Sequence, residues 1–281
     1  MFRVMIQRIL VPLELSAHCE SAIRHACAIA RSLGAQVIGK VILDDPTVQR
    51  RAASHAAHAA AMLIAEDTGR QNRKEADSHI QQLLTRFRTI CAEAGVDHDE
   101  APLQGIPSNV IAEHSMFYDL VVHGFHGVYT SEKDLDPLCL TKVLGHTTTP
   151  FLIVPDEFLP IRNVLICYDG SLSGMRAMRD FALLIGGLDY KITVLNADSD
   201  RNRSRFLLDR AEQYLKAHGA GEITQASSTK AIREAIREEP AQDPDLIVIG
   251  LHSKRGVRDF FIGSLTDELI ESGETALFLG S

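Results

Sequence analysis

The chain contains two copies of one structural unit, and this internal repeat restricts the fold more than any other feature of the sequence. Residues 8–16 recur as residues 163–171, and each copy is an apolar strand pattern that ends at an acidic residue, with serine two positions later. Two further apolar segments recur in the same order: residues 37–42 recur as residues 192–197, and residues 119–124 recur as residues 245–250. The first copy is the longer one, chiefly because of an alanine-rich and charged stretch. The repeat predicts two related domains in tandem.

Strand patterns alternate with helical patterns throughout each copy. Apolar, β-branched strands in such an alternation predict a parallel sheet that is covered by helices on both faces. We therefore predict an α/β protein with two tandem doubly wound five-stranded parallel-sheet domains of the Rossmann-like type. The predicted domains are residues 1–155 and 160–281, separated by an acidic linker that two prolines bracket. In this topology a ligand crevice opens at the carboxyl ends of the strands.

The extra stretch of the first domain, at about residues 46–86, predicts long helices because alanine is the best helix former. Such helices could cover the sheet or form a functional lid. For assembly, we predict that the two domains pack through their last strands, residues 151–154 against 276–279. This pairing would bury two sheet edges that are prone to association when exposed. The sequence does not decide whether the whole chain also forms a homodimer.

Composition and charge argue against several classes of function. The net charge of −8 argues against nucleic acid or an anionic membrane as a partner, and no apolar run approaches the ~20 residues of a membrane span. The five cysteines are scattered, without a C-x-x-C pair, which favours reduced thiols and a cytoplasmic location. Four potential metal ligands could gather near the crevice of the first domain, but their spacing matches no compact zinc motif, so we predict no metal site. They are His123, His126, Cys139 and His146.

A glycine pattern near the C-terminus is the strongest functional signal. One apolar strand pattern ends at Gly250, and Gly263 and Ser264 precede a helical pattern for which Ser264 is the predicted N-cap. Backbone N–H groups at a strand end and at a helix N-terminus can hold an anion such as phosphate. The pattern therefore predicts two separate contacts to one polyphosphate.

On the basis of the repeat and of this glycine pattern, both halves resemble the universal stress protein domain. The whole chain therefore resembles a tandem universal stress protein. The family shares its fold with the adenine nucleotide α-hydrolases. Its nucleotide-binding members carry the motif G-x2-G-x9-G-[S/T], and the second half contains Gly250-x2-Ser253-x9-Gly263-Ser264. The resemblance implies that these four residues contact ribose and phosphates. Ser253 stands where the motif has glycine, and it can donate through its backbone N–H and its hydroxyl.

The resemblance also implies contacts to the adenine base. The family's strand-one aspartate matches Asp169, which would accept from the adenine amino group, and a backbone contact at the end of strand two matches Ala197. Lys254, Arg255 and Arg258 lie between the two halves of the motif, either as phosphate contacts or as solvated loop residues. The implied ligand is ATP or another adenine nucleotide, with or without Mg²⁺.

The first half departs from the family motif. It keeps Gly124 and Gly127, but Pro137 and Leu138 stand where the anion site needs Gly-Ser. Proline has no N–H to donate to a phosphate. Glu14 replaces the adenine-contact aspartate and is one methylene longer. We therefore predict that the first half does not bind ATP in the family manner and has a structural or regulatory role.

These features favour a stress-response regulator or switch that binds an adenine nucleotide in its second half. Binding would order the loop 251–262 and so change a surface that protein partners, which the sequence does not identify, would contact. One alternative is an interaction protein without a functional nucleotide site, and another is a slow ATP hydrolase of the adenine nucleotide α-hydrolase type. We expect at most weak ATPase activity, because the glycines are not followed by the Gly-Lys-[Ser/Thr] sequence of a P-loop.

Overall fold

The structure is a computed structural model of the 281-residue chain. It describes residues 6–14, 16, 18–43, 61–105, 107–125, 137–185, 188–238, 243–251 and 264–280. Within these ranges, only the backbone is described for residues 43, 61–77, 104, 137–139, 141 and 264.

The described residues of the first half form five strands and four helices. The strands are β1 (Arg8–Leu13), β2 (Gln36–Leu43), β3 (His98–Gln104), β4 (Leu120–Gly124) and β5 (Phe151–Val154). The helices are α1 (His18–Leu33), α2 (Ala61–Ala94), α3 (Pro107–Ser115) and α4 (Pro137–Leu144). Strands and helices alternate, as the apolar pattern predicted.

The second half repeats this arrangement. Its strands are β6 (Asn163–Cys167), β7 (Lys191–Ala197), β8 (Ile223–Ser228), β9 (Leu246–Gly250) and β10 (Ala276–Gly280). Its helices are α5 (Leu172–Ile185), α6 (Arg201–Ala217), α7 (Ile232–Glu238) and α8 (Ser264–Ser272). Helix α6 begins at a clear N-cap, because the Asp200 side chain accepts from the backbone N–H groups of Asn202 and Arg203.

The strand order confirms the predicted α/β fold. The first half has the order β3-β2-β1-β4-β5 and the second half has the equivalent order β8-β7-β6-β9-β10, with every pair inside a half parallel. Each half is thus a doubly wound sheet in which the first strand lies at the centre. The order reverses between β1 and β4 and again between β6 and β9, and ligand crevices of such sheets open at these switch points.

The two halves join through their last strands, which confirms the predicted packing of the domains. Strand β10 pairs antiparallel with β5, with Leu277 opposite Ile153 and Phe278 opposite Leu152. The result is one ten-stranded sheet. Both strands are fully buried, so two edges that would otherwise be open to association are covered.

Two hydrophobic cores lie on opposite faces of this sheet, and each runs through both halves. Side chains of α1, α2, α5 and α6 fill one core, and side chains of α3, α4, α7 and α8 line the other. The alternation of side chains along β10 shows the division, since Phe278 belongs to the first core whereas Leu277 and Leu279 belong to the second. The ring of Phe278 meets the ring of Phe181 edge-to-face, with centroids 5.6 Å apart.

Helix α2, with 34 residues, is the longest of the described helices, and it contains the later part of the predicted insertion. Its last turns pack into the first core through buried side chains such as Leu84, Phe87 and Ile90. Phe87 lies directly beneath Gly39 of β2, where an added Cβ would approach the ring to 3.0 Å. This part of the insertion therefore covers the sheet, and residues 46–60 lie outside the described residues. Among the helices that the structure describes, none is both long enough and apolar enough to cross a membrane.

An aspartate clamps the amino end of the central strand in each half. The Asp119 carboxylate accepts from the backbone N–H groups of Gln7 and Arg8, at 2.9 and 3.0 Å. The Asp245 carboxylate accepts from those of Arg162 and Asn163, at 2.9 and 2.8 Å. The repeat therefore preserves backbone contacts as well as the apolar pattern.

A buried histidine holds the linker between the halves against α1. His25 is 3% exposed, its Nε2 lies 3.1 Å from the carbonyl oxygen of Leu159, and its ring meets Phe158 at a centroid distance of 4.7 Å. Its Nδ1 lies 2.9 Å from the carbonyl oxygen of Ser21. Burial lowers the pKa of His25 from its ordinary value, although these two backbone contacts oppose the shift.

Acid is therefore expected to destabilise the protein partly through His25. Below its ordinary pKa of about 6.5, the unfolded chain takes up a proton that the folded chain resists, so the free energy of unfolding falls as the pH falls. Urea unfolding at several values between about pH 7.5 and pH 5.5 measures this slope. The variant His25→Gln should show a shallower slope over the same range. An equal slope in both proteins would contradict this assignment.

Candidate functional site

The crevice of the second half lies where β6, β7 and β9 end and α5 begins. Strand β6 pairs with β7 on one side and with β9 on the other, so the ends of these three strands lie side by side. Three of the predicted site residues stand at these ends, which are Asp169, Ala197 and Gly250. The topology thus gathers positions that are far apart in the sequence, as a doubly wound sheet requires.

Asp169 lies in a tight turn between β6 and α5. Its Oδ1 accepts the backbone N–H of Ser171 at 2.9 Å, and Gly170 between them has a φ of 79°, a conformation that glycine adopts without strain. The Ser171 hydroxyl in turn accepts the backbone N–H of Gly174 at 3.0 Å and so caps α5. One carboxylate oxygen therefore fixes the turn, while the Asp169 side chain remains exposed at the crevice.

The ionisable side chains next to Asp169 are held in their neutral forms. Burial, and then the negative charge of Asp169, raise the pKa of the Cys167 thiol to about 12, although part of the residue is exposed. The same two causes raise the pKa of Tyr168. Both groups keep their protons at neutral pH, so neither is suited to act as a nucleophile or as a general base.

Asn196 connects the ends of β6 and β7, and sequence reasoning missed it. It is 1% exposed, and its Nδ2 donates to the carbonyl oxygen of Tyr168 at 2.7 Å, one residue before Asp169. Its Oδ1 is buried without a hydrogen-bond partner among the described residues. The available signal was a single amide near the end of the strand, next to Val194 and Leu195. The next residue, Ala197, closes β7 opposite Ser228 of β8.

Gly250 packs against the first turn of α5. A Cβ added to Gly250 would lie 2.3 Å from the carbonyl carbon of Ser173 and 2.5 Å from the nitrogen of Gly174, distances that real Cβ atoms essentially never show. Gly124, the equivalent glycine of the first half, would meet the Cβ of His18 at 2.2 Å. Both halves therefore need a glycine here for packing, although only the second half keeps the Gly-Ser pair of the motif.

The remaining predicted phosphate contacts belong to the segment that follows β9. Ser253, Lys254, Arg255 and Gly263 lie outside the described residues. Ser264 is the first residue of α8, so it occupies the first helical position rather than the predicted N-cap, and its side chain is not described. Helix α8 is tied to α7 because Glu268 accepts from Arg233 and Arg237, at 2.7 and 2.5 Å.

In the equivalent crevice of the first half, the acidic residue is buried and bound by its neighbour Ser16. Glu14 is 3% exposed, and its two carboxylate oxygens accept from the backbone N–H and the hydroxyl of Ser16, at 2.6 and 2.5 Å. Pro137 is the first residue of α4, the helical position that needs no N–H donor. Glu14 thus turns inward, whereas its counterpart Asp169 is exposed.

Of the potential metal ligands in the first half, the two histidines that the structure describes make local contacts. His123 is buried, and its Nδ1 lies 2.5 Å from the carbonyl oxygen of Gly124. His146 contacts the carbonyl oxygen of Lys142 at 2.8 Å through its Nδ1. His126 lies outside the described residues, as does the side chain of Cys139. In the part of the chain that is described, no group of three potential ligands could hold a metal ion.

Comparison with known proteins gives the same family for both halves. A family model described as "Universal stress protein family" matches residues 5–155 and 160–277. Universal stress protein Slr1230 of Synechocystis sp. is 24% identical over 133 residues, which are 47% of this chain and 46% of that protein. The match therefore spans about half of the length of this curated relative.

Solved structures with a similar fold cover almost the whole chain. A universal stress protein from Archaeoglobus fulgidus has a TM-score of 0.70 at 15% identity, with 98% of each chain covered. A protein of unknown function from Pseudomonas aeruginosa, PA1789, has a TM-score of 0.57 at 16% identity, with 98% of this chain and 92% of that chain covered. At such identities the likeness shows the fold, whereas the family model identifies the family. With the family model matching both halves, the chain belongs to the universal stress protein family.

Proposed function

We propose that this universal stress protein binds ATP or another adenine nucleotide in its second half and acts as a switch in the stress response. The observation that supports this most is the difference between two equivalent carboxylates. Asp169 is exposed at the crevice of the second half, whereas Glu14 is buried and both of its oxygens are bound by Ser16. Of these two carboxylates, that of Asp169 is the one exposed to a ligand.

The described geometry suits recognition of an adenine base. The exposed Asp169 carboxylate can accept from the amino group of adenine, because the turn that Ser171 holds fixes its position. The end of β7, at Ala197, offers backbone groups to the edge of the base. Asn196 and Tyr168 connect the two positions through one hydrogen bond of 2.7 Å. The base would therefore meet a prearranged pair of contacts, which lowers the entropy cost of binding.

The phosphates would lie toward the residues that follow β9. The residues of this chain that stand at the motif positions of the family's nucleotide-binding members are Gly250, Ser253, Gly263 and Ser264. The N-terminus of α8, which begins at Ser264, favours an anion through its unpaired N–H groups and its dipole. Lys254 and Arg255 would add positive charge, and Mg²⁺ could accompany the phosphates.

Binding rather than catalysis fits the ionisable groups of the described crevice. The Cys167 thiol, with its pKa of about 12, stays protonated at neutral pH, and so does Tyr168. The composition favours the cytoplasm as the place of action, where ATP is abundant. A nucleotide that prefers one conformation of the protein would then shift its population, which is how a binding protein signals without chemistry.

Calorimetric titration of the full chain with ATP and Mg²⁺ tests the proposal. We expect heat with a stoichiometry of one nucleotide per chain, together with an increase in the melting temperature. Binding at both halves would contradict the argument from Glu14. Neither heat nor a thermal shift at millimolar ATP would favour the interaction protein without a site, and release of AMP, ADP or pyrophosphate would favour the hydrolase.

The variant Asp169→Ala is expected to weaken ATP binding by about 10-fold to 100-fold, because it removes a charged acceptor worth about 1.5–3 kcal/mol. The matched control is Asp156→Ala, which removes an exposed carboxylate from the linker. Its affinity for ATP should equal that of the unaltered protein. Equal affinities in all three proteins would remove Asp169 from the site.

A further inference from the structure

Two buried cysteines contact each other across the interface between α1 and α2. The Sγ atoms of Cys27 and Cys91 are 3.6 Å apart, although 64 positions separate the residues in the sequence. Their side chains are 2% and 0% exposed. At this distance one thiol can donate a hydrogen bond to the other sulfur. A shift of less than about 2 Å would bring the sulfurs to the length of a disulfide bond.

The surroundings of the two thiols differ. The hydrogen bond from Cys91 lowers the pKa of Cys27, and the positive charges of Arg24 and Arg31 act in the same direction, against the effect of burial. Arg24 also forms an ion pair with Glu20 at 2.8 Å, which weakens the effect of Arg24 on the pKa of Cys27. The pKa of Cys91 is raised by its hydrogen bond to Cys27 and by burial, with a smaller contribution from Glu100. The surroundings therefore favour the thiolate at Cys27 over the thiolate at Cys91.

The other described cysteines lack this arrangement. Burial, followed by the charge of Glu14, raises the pKa of Cys19 to about 12. The pKa of Cys167 is also raised to about 12. Among the four cysteines whose side chains are described, Cys27 is the one whose surroundings favour the thiolate. The thiolate is the nucleophilic form of cysteine, so Cys27 is the reactive member of the pair.

We propose that Cys27 and Cys91 form a redox-active dithiol, which hydrogen peroxide or another small hydroperoxide oxidises to a disulfide within the chain. The Cys27 thiolate attacks one peroxide oxygen, the O–O bond breaks, and hydroxide leaves with the electron pair. The Cys91 sulfur then attacks the sulfenic sulfur of Cys27, the S–O bond breaks, and the second hydroxide leaves. The two hydroxides take up the two thiol protons as water. Both sulfurs are oxidised and both peroxide oxygens are reduced.

Burial selects the class of oxidant. Both sulfurs lie within the first core, among side chains of α1 and α2. A hydroperoxide as small as hydrogen peroxide can reach such a site, whereas a disulfide of the size of oxidised glutathione requires an exposed thiolate. The new bond would fasten α2, which carries the extra residues of the first half, to α1. It would also restrict the unfolded chain, because it closes a loop of more than sixty residues.

A peptide map of the full-length protein tests the proposal. The reduced protein is treated with hydrogen peroxide, its remaining thiols are blocked with N-ethylmaleimide, and it is digested with trypsin without reductant. We expect the tryptic peptide 25–31 to be linked to the tryptic peptide 89–133, and each of these peptides contains a single cysteine. The mass of the linked pair should be lower than the sum of the two peptide masses by two hydrogens. Dithiothreitol should separate the two peptides. The melting temperature should rise by about 5 °C on oxidation and return on reduction.

Variants separate the roles of the two sulfurs. Cys91→Ser should stop at the sulfenic acid of Cys27, which dimedone traps, whereas Cys27→Ser should leave Cys91 unreactive. The matched control is Cys19→Ser, which alters an equally buried cysteine of the same helix and should keep the link. Three results would overturn the proposal, and the unaltered protein alone reveals each of them. They are a sulfinic acid on Cys27 without a link, a disulfide that involves another cysteine, and two thiols that peroxide leaves unchanged.

Discussion

The variant Phe278→Ala is expected to lower the free energy of unfolding by about 3–5 kcal/mol, because it leaves a cavity at the centre of the ten-stranded sheet. Phe278 is fully buried in β10, opposite Leu152 of β5, and its ring packs on Phe181 of α5. Neighbouring strands hold the surrounding backbone, so the site cannot collapse around the smaller side chain. Urea unfolding, followed by circular dichroism, measures the loss.

The control for this variant is Phe206→Ala. Phe206 is 57% exposed on α6, where its ring lies beneath the guanidinium group of Arg210. Its loss should change the free energy of unfolding by no more than about 0.5 kcal/mol. A loss of less than about 1 kcal/mol for Phe278→Ala would contradict the importance of the central strands.

The variant Gly250→Ala is expected to destabilise the nucleotide-free protein by about 3 kcal/mol, near the upper end of the usual cost of overpacking. The new methyl group would lie 2.3 Å from the carbonyl carbon of Ser173. The atoms that it meets belong to the backbone of α5, so no change of rotamer relieves the clash. Gly124→Ala should have a similar effect in the first half, because its methyl group would meet the Cβ of His18 at 2.2 Å.

Gly221→Ala is the matched control, since a Cβ at Gly221 would meet no atom within 4 Å. It should leave the stability unchanged or slightly higher. If Gly250 served only a ligand, Gly250→Ala would weaken ATP binding and leave the stability of the free protein unchanged. Thermal unfolding without nucleotide distinguishes the two roles. Measurement of ATP affinity should follow only for variants that are folded at the temperature of the titration.

The topology could be predicted because the repeat and the alternation of strands and helices determine it. The packing of β5 against β10 could be predicted because each half presents an equivalent apolar edge strand, whereas the antiparallel direction came from the structure. The clamps at Asp119 and Asp245 were present in the sequence as equivalent aspartates, but the pattern does not show which backbone groups a carboxylate accepts from.

The site was less predictable, for reasons that individual residues illustrate. A glycine at the end of a strand permits the approach of a ligand and of another backbone equally well, so the sequence could not reveal the contact between Gly250 and α5. Glu14 is one methylene longer than the aspartate that it replaces, but the sequence does not show that this methylene lets the carboxylate turn back onto Ser16. Asn196 was overlooked because its partner, the carbonyl oxygen of Tyr168, has no signature in the sequence.

The antiparallel join between β5 and β10 gives the molecule two opposite ends. Every strand of one half runs against every strand of the other, because each half is parallel within itself. The carboxyl ends of the two sets of strands therefore lie along opposite margins of the sheet. A nucleotide at Asp169 and a partner near Glu14 would occupy these two margins without touching. Any influence of one on the other must cross the join between the halves, where β5 pairs with β10 and the two cores continue from one half into the other.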